Sequence, residues 1–283
     1  MVVDKSLVSS YNIYKLDRKE FDLNIVYIYK KFPTQLDCIK HLEYVRWNNQ
    51  PTCPYCNSKK STKSKTDYRH HCNNCKTSYS VTVDTIFHDT KVDLQKWFLA
   101  ISLLLNAKKG ISSRQLARDI GVNKNTAWYM FMRLRKAFLD NPELLNGIIE
   151  ADETYVGGKN INKHNSKKNH NTQGRNTKDK KAIFGILQRN GKVKAQKVKD
   201  VKSKTLMSII SRHVEEGAEI MTDQWVAYKH LSAKFKHISI DHSRGEYANG
   251  RCHINTLEGF WALFKRGIVG QYHHVSDRYI DRY

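Results

Sequence analysis

The chain has 283 residues, with 49 Lys and Arg against 27 Asp and Glu, and a formal net charge of +22 at pH 7. That length accommodates two or three compact units, and so large a surplus of cations points to a polyanionic partner, nucleic acid before any other. No apolar run approaches the length of a membrane span and the first residues hold no signal-peptide core, so the expected compartment is the cytoplasm where the chain is made.

In chain order, residues 1–45 give weak signals: "LNIVYIYKKFPTQLDCIKHLEYVRW" reads as a strand or helix followed by a short helix, with no function attached. From 46 to 90 the pattern sharpens. "CPYC" (Cys53, Cys56) is followed by fifteen intervening residues and then "CNNC" (Cys72, Cys75). Each CxxC turn presents two thiolates, and four thiolates complete a tetrahedral zinc shell, so the spacing predicts a zinc ribbon whose knuckles are joined by strands such as "YRHHC" and "KTSYSVTV". With all four positions filled by protein, the zinc is structural. His70 and His71 read as flanking strand residues, and Cys38 and Cys252 as ordinary thiols. The cysteine pattern therefore describes a metal site rather than a disulfide framework.

Residues 91–142 are helical. "LQKWFLAISLLL" is an apolar-periodic helix that Asp93 is placed to cap. In "SSRQLARDIGVNKNTAWYMFMRLRKAF", Ser112 or Ser113 caps one helix with Leu116, Ala117 and Ile120 inward, Gly121 makes the tight turn, and Asn123 caps a second helix with Ala127, Met130, Phe131, Leu134 and Phe138 inward. This resembles the helix-turn-helix pattern. Its second helix would lay Lys124, Asn125, Arg133 and Lys136 on the outer surface, suited to phosphates and base edges.

Residues 147–283 alternate strands and helices. "GIIEADETYVG", "KAIFGILQRNG" and "KVKAQKVKDV" read as three strands, the last two joined at Asn190-Gly191; "SKTLMSIISRHVEE" is a helix with Ser203 as its cap; "AEIMTD" is a strand, "WVAYKHL" a short helix and "FKHISI" a strand. A helix from Asn255 to Arg266 closes the set. Strand, strand, strand, helix, strand, helix, strand, helix is the connectivity of the α/β ribonuclease-H-like fold, preceded here by a small zinc ribbon and a helix-turn-helix. In that fold the first and fourth strands are neighbours and the closing helix packs over their ends, so Asp152, Asp223 and Glu258 would converge. Gathered carboxylates in a basic protein call for hard divalent cations, two Mg²⁺ (or Mn²⁺) of the kind that serve phosphodiester transfer. Alternation along "IIEADETYV" puts Glu150, Asp152 and Thr154 on one face and Glu153 on the other, leaving Asp152 or Glu153 open as the ligand.

The segments "ADETYVGGK", "MTDQWVAY" and "HINTLEGFWALFKRGIVGQYHHVS", with the upstream ribbon and helix-turn-helix, closely resemble the Merlin-like or ISXO-like DDE transposases of bacterial insertion sequences, over roughly residues 45–283. The resemblance implies Mg²⁺-dependent nicking and strand transfer at terminal inverted repeats, by a homodimer or higher oligomer on double-stranded DNA, associated with the nucleoid. It assigns Asp152 and Asp223 as the first two acids. The third position falls on Asn255 or Glu258, of which Glu258 is favoured because an anionic oxygen binds Mg²⁺ better than an amide. Lys265 and Arg266 would hold phosphate, His253 is open between a contact to DNA or the metal's surroundings and an ordinary histidine, and Trp261 reads as packing. The insertion 157–180 carries seven Lys and Arg against one Asp and reads as a flexible basic loop beside the active site. The family usually continues with a further helical segment after "YHHVSDRYIDRY", so the resemblance reads the C-terminus as truncated. The alternative is a non-catalytic DNA-binding remnant or regulator derived from such a transposase.

Overall fold

The computed structural model describes residues 24–64, 66–139, 143–157, 164–168, 180–224, 226–228, 231–240 and 252–283. The chain divides into two units, Met1–Asn141 and Pro142–Tyr283.

The first unit opens with helices α1 (Ile25–Lys31) and α2 (Gln35–Trp47). Asn24 caps α1 by accepting from the Tyr27 amide at 2.7 Å, and Thr34 and Asp37 form a reciprocal capping box on α2, satisfying amides that a helix start leaves bare. Three short antiparallel strands follow, β1 (Ser61–Lys63), β2 (His70–Cys72) and β3 (Ser78–Tyr79). Then come α3 (Leu94–Asn106), α4 (Ser113–Ile120) and α5 (Lys124–Leu139). Leu94, Trp97 and Phe98 of α3 share one core with Leu116 and Ile120 of α4 and with Ala127, Met130, Phe131 and Leu134 of α5. Gly121 ends α4 at a φ of +61°, where an L side chain would be strained. Ser112 caps α4, and Asn123 accepts the Asn125 amide at 2.9 Å to start α5. Asp93 does not cap α3 as expected: its side chain makes no cap bond, and Gln35 of α2 accepts the Leu94 amide at 2.8 Å instead. A neighbouring helix thus supplies what the local sequence leaves out.

The second unit is a five-stranded sheet in the order β6–β5–β4–β7–β8. β4 (Ile148–Val156), β5 (Lys181–Gln188) and β6 (Val193–Val198) are antiparallel, while β7 (Glu219–Asp223) and β8 (Lys236–Ile240) continue parallel from the other side of β4. The parallel additions need crossovers, and α6 (Ser203–His213) lies on the one from β6 to β7. Alternation assigns the two faces. Ile149, Ala151, Phe184 and Ile186 pack with Leu206, Ile209 and Ile210 of α6; Ile183 and Leu187 pack with Leu257 and Trp261 of the closing helix α7 (Asn255–Arg266). Ser203 is the first residue of α6 rather than its cap; Lys202 stands at the N-cap and makes no side-chain cap bond, while Asp200 just before it accepts from the Lys202 amide at 3.1 Å and the Thr205 hydroxyl at 2.7 Å. In place of the expected helix "WVAYKHL" the chain makes two 3₁₀ turns, Val226–Tyr228 and Leu231–Ala233, with Trp225 outside the described residues. Beyond α7, a 3₁₀ turn at Asp277–Arg282 lies along edge strand β6: Asp281 accepts the Lys197 amide at 2.6 Å and Asp277 pairs with Lys197 at 3.1 Å. Most of the basic insertion, 158–163 and 169–179, lies outside the described residues. Among the described residues no helix is long and apolar enough to cross a membrane.

Candidate metal centres and nucleic-acid contacts

The ribbon is built from two knuckles with the same turn. In each, the residue after the second cysteine turns left-handed, Asn57 at φ +57° and Lys76 at φ +58°. That residue's amide bonds back to the carbonyl of the first cysteine, at 2.9 Å in one knuckle and 3.0 Å in the other. The four sulfurs all lie within 4.8 Å of one another, with Cys53 to Cys75 at 3.6 Å and Cys56 to Cys72 at 3.5 Å. Thiolates about 2.3 Å from a tetrahedral zinc stand about 3.8 Å apart, so the donor set fits that ion in number, chemistry and spacing. Hydrogen bonding from Thr77 draws the Cys75 thiol down to about 6, toward the form a metal takes, while burial pushes Cys53 up to about 12.

The two histidines beside the knuckle are not ligands. His70, 2% exposed, bonds Glu43 of α2 at 2.8 Å and stacks on Tyr79, while His71 is an exposed strand residue. Lys63 reaches the second oxygen of Glu43 at 2.9 Å, and Arg46 donates to the carbonyls of Val81 and Val83, both at 2.7 Å. The ribbon is therefore fastened to α2. Cys38 and Cys252 are buried thiols, raised above their ordinary value by burial.

In the second unit the parallel ladder between β4 and β7 pairs Ile148 with Glu219, Ile149 with Ile220 and Glu150 with Met221. Continuing that register by two residues sets Asp152 level with Asp223, just where the ladder has ended. Carboxyl ends of parallel strands that diverge are where open sheets leave room for ligands. Glu258 is exposed in the first turn of α7, with Asn255 exposed at the start of the same helix. Burial pushes the Asp152 carboxyl up to about 7, helped by the charges of Glu153, Asp223 and Glu258. Asp152 thus feels the charges of three other acids. A carboxylate held in that state is the donor chemistry a divalent cation would relieve, and the residues fit such an ion. The acids are not drawn as close as the thiolates: among the described residues, the four cysteines are the only such group with ligand atoms within 4.8 Å of one another.

Asp152 and Glu153 face opposite sides of the sheet. Glu153 faces the other side of the sheet, where it accepts the Tyr228 hydroxyl at 2.8 Å; that phenol is buried and raised well above its ordinary value by burial and by Glu153. Asp152 faces α7, and the Trp261 indole N–H donates to its Oδ2 at 3.1 Å. Trp261 is thus more than the packing residue the sequence suggested. Its ring lies over Gly185, the β5 partner of Asp152, where an added Cβ would come within 2.5 Å of the indole. A glycine inside a strand signals such a close approach, and that signal was available in "KAIFGILQ". Gly185→Ala should overpack this contact and cost about 1–3 kcal/mol, read as a lower thermal midpoint than wild type.

Of the residues expected to face DNA, Lys124 and Asn125 at the start of α5 and Lys136 near its end are exposed, as are Lys265 and Arg266 in the last turn of α7. Arg133 is not on the outer surface. It is partly buried, donates to the carbonyls of His88 at 2.8 Å and Thr85 at 3.4 Å, and lies over the Tyr129 ring at 5.4 Å. A guanidinium fork suits paired oxygens of any origin, and here the chain's own carbonyls take it.

Comparison with known proteins gives these sites a family. Residues 33–78 match the transposase zinc-ribbon domain and residues 144–283 match the ISXO2-like transposase domain. The protein is a transposase with a zinc ribbon. It belongs to the ISXO2-like transposases of insertion sequences. A protein of Halobacterium salinarum described as "Uncharacterized protein in transposable element ISH50" is 28% identical over 250 residues, which are 84% of each chain. A solved structure, "Crystal structure of a pre-cleavage Mos1 transpososome", aligns over 95% of this chain and 94% of its own at 9% identity and a TM-score of 0.21, a likeness too faint to argue from.

Proposed function

We propose that the chain cuts and joins DNA at the terminal inverted repeats of its insertion sequence, with a ribonuclease-H-like catalytic domain over 147–283, a zinc ribbon over 46–90 and a helix-turn-helix over 91–142. The observation that carries the reading is the placing of Asp152 level with Asp223 on adjacent parallel strands, with Glu258 near enough to help raise the Asp152 carboxyl. Sheet order and direction support the fold assignment.

Asp152, Asp223 and Glu258 would hold two Mg²⁺ or Mn²⁺ ions, with Asn255 as the alternative third ligand. When bound, such ions supply Lewis-acid activation of the attacking oxygen and neutralise charge on the leaving one. The chain's own residues do the rest. Trp261 holds one oxygen of Asp152 through its indole N–H. Lys265 and Arg266, about two turns beyond Glu258, are placed to hold the flanking phosphates. In the first unit α4 and α5 would read the element's ends, with Lys124 and Asn125 at the exposed start of the second helix. The basic insertion 157–180 adds backbone grip by its charge, and assembly as a dimer or larger on paired ends follows from the need to cut both.

The test is Mg²⁺-dependent nicking of a labelled duplex carrying the element's ends, beside an Asp223→Asn control. Nicking that the variant lacks is the expected result. Binding without nicking in either Mg²⁺ or Mn²⁺ would instead make the protein a DNA-binding remnant.

A further inference from the structure

Glu150 is wholly buried, two residues before Asp152 and on the same face of β4. Its Oε1 accepts from Arg189 Nε at 2.8 Å and from the Thr256 hydroxyl at 2.9 Å, with His253 Nδ1 at 3.4 Å; its Oε2 accepts from the Leu257 amide at 2.9 Å. Arg189, from the turn after β5, also donates to the His253 carbonyl at 2.8 Å. A carboxylate without solvent is retained only where its charge and lone pairs are met, and here they are met by the start of α7. That helix has no cap of its own, because Ile254 stands at its N-cap. Glu150 supplies the missing acceptor from another element and sets an anion against the positive end of the helix.

The consequence is geometric. Glu150 precedes Asp152 by one strand repeat, and Leu257 immediately precedes Glu258, so one 2.9 Å hydrogen bond links the carriers of the two acids. The Trp261 bond to Asp152 closes the same link on the other side of Glu258. Helix α7 is thereby held to β4 at 257 and at 261, bracketing the acid between them. We propose that Glu150, with Arg189 as its counter-ion, is a positioning residue that sets the separation of Asp152 and Glu258 and so the affinity of the acid cluster for divalent cations. This rests on the acid cluster being the cation site of the proposed function.

The test is Mn²⁺ binding to zinc-replete, DNA-free protein, followed by loss of the free ion's electron paramagnetic resonance signal. Groups that orient metal ligands cost about 10–100-fold in affinity when removed, so Glu150→Gln should weaken Mn²⁺ binding about tenfold. Thr256→Val alters an exposed residue that donates to the same carboxylate; it should weaken binding by a smaller factor, while Thr256→Ser should keep wild-type affinity. A purely structural role would lower the thermal midpoint and leave the affinity of the folded protein unchanged, and wild-type affinity in Thr256→Val and in folded Glu150→Gln would overturn the proposal. Asp152→Asn separates the two readings. If that variant binds Mn²⁺ like wild type, the acid cluster itself is not the site.

Discussion

Asp152→Asn is expected to abolish DNA cleavage and, in metal-free protein at pH 8, to raise thermal stability. The two effects have one origin. Asp152 titrates near 7 in the folded protein against an ordinary value of 3.8, chiefly because it is buried and then because Glu153, Asp223 and Glu258 surround it. Below 3.8 folded and unfolded chains both hold the proton and nothing is lost. As the pH rises the unfolded chain ionises first, so stability falls, and the loss is complete above about 7, where the native carboxyl has ionised too. Three decades of mismatch correspond to roughly 4 kcal/mol as an upper figure. Asparagine removes that cost and keeps an acceptor for the Trp261 indole, so the variant's midpoint should exceed wild type by several degrees at pH 8 and by little at pH 4. Mg²⁺ should then stabilise wild type and leave the variant unmoved. Loss of a metal ligand removes several kcal/mol of transition-state stabilisation, about three orders of magnitude in nicking rate. A variant that nicks normally, or that melts lower at pH 8, would contradict this account.

Removing zinc should be as severe for the first unit. Structural zinc contributes about 10–16 kcal/mol of apparent binding free energy to small cysteine domains, and three strands of two or three residues have little else to hold them. Cys53, Cys72, Tyr79 and Val83 form the ribbon's small core, with Trp47 of α2 packed against it. A zinc-selective chelator, or Cys72→Ser, should make the remaining ribbon thiols reactive toward a thiol reagent, strip α2 of its Glu43–His70 and Arg46 anchors, and abolish binding to the element's ends. Titrating thiol reactivity against released zinc checks the first point. Full DNA affinity after zinc release would show that the ribbon is dispensable for recognition.

What could be read in the sequence was what depends on local spacing. Two CxxC turns specify a ribbon because both ligand pairs are encoded within four residues each. The bounds of α7 followed from its apolar period, and the split of β4 into two faces followed from alternation. Signals that arise between elements were hidden. Asp93 looks like a cap to any local rule, yet Gln35 does that work from 59 residues away in sequence. Arg133 looked like a phosphate contact because nothing nearby in sequence reveals the Thr85 and His88 carbonyls. Trp261 looked like packing because its partner Asp152 lies 109 residues upstream. Glu150 was visible on the same face as Asp152, but its role needed the start of α7, 107 residues away.

The order in which the sheet is threaded has a bearing on the protein's life before it is complete. Asp152 and Asp223 belong to strands that pair directly, but β7 reaches β4 only after two further strands and a helix have been made, and Glu258 follows on a helix whose first turn is held by Glu150. Contacts so distant along the chain form late, since the closure of long loops must be met before they stabilise anything. A chain still on the ribosome, extended as far as Asp223, has two acids and no α7 to bring the third. The ribbon and α4–α5 come earlier and close on contacts of shorter range. A growing chain would therefore complete the ribbon and α4–α5 before the acids of the second unit are gathered, and a broken message would leave the first unit without them.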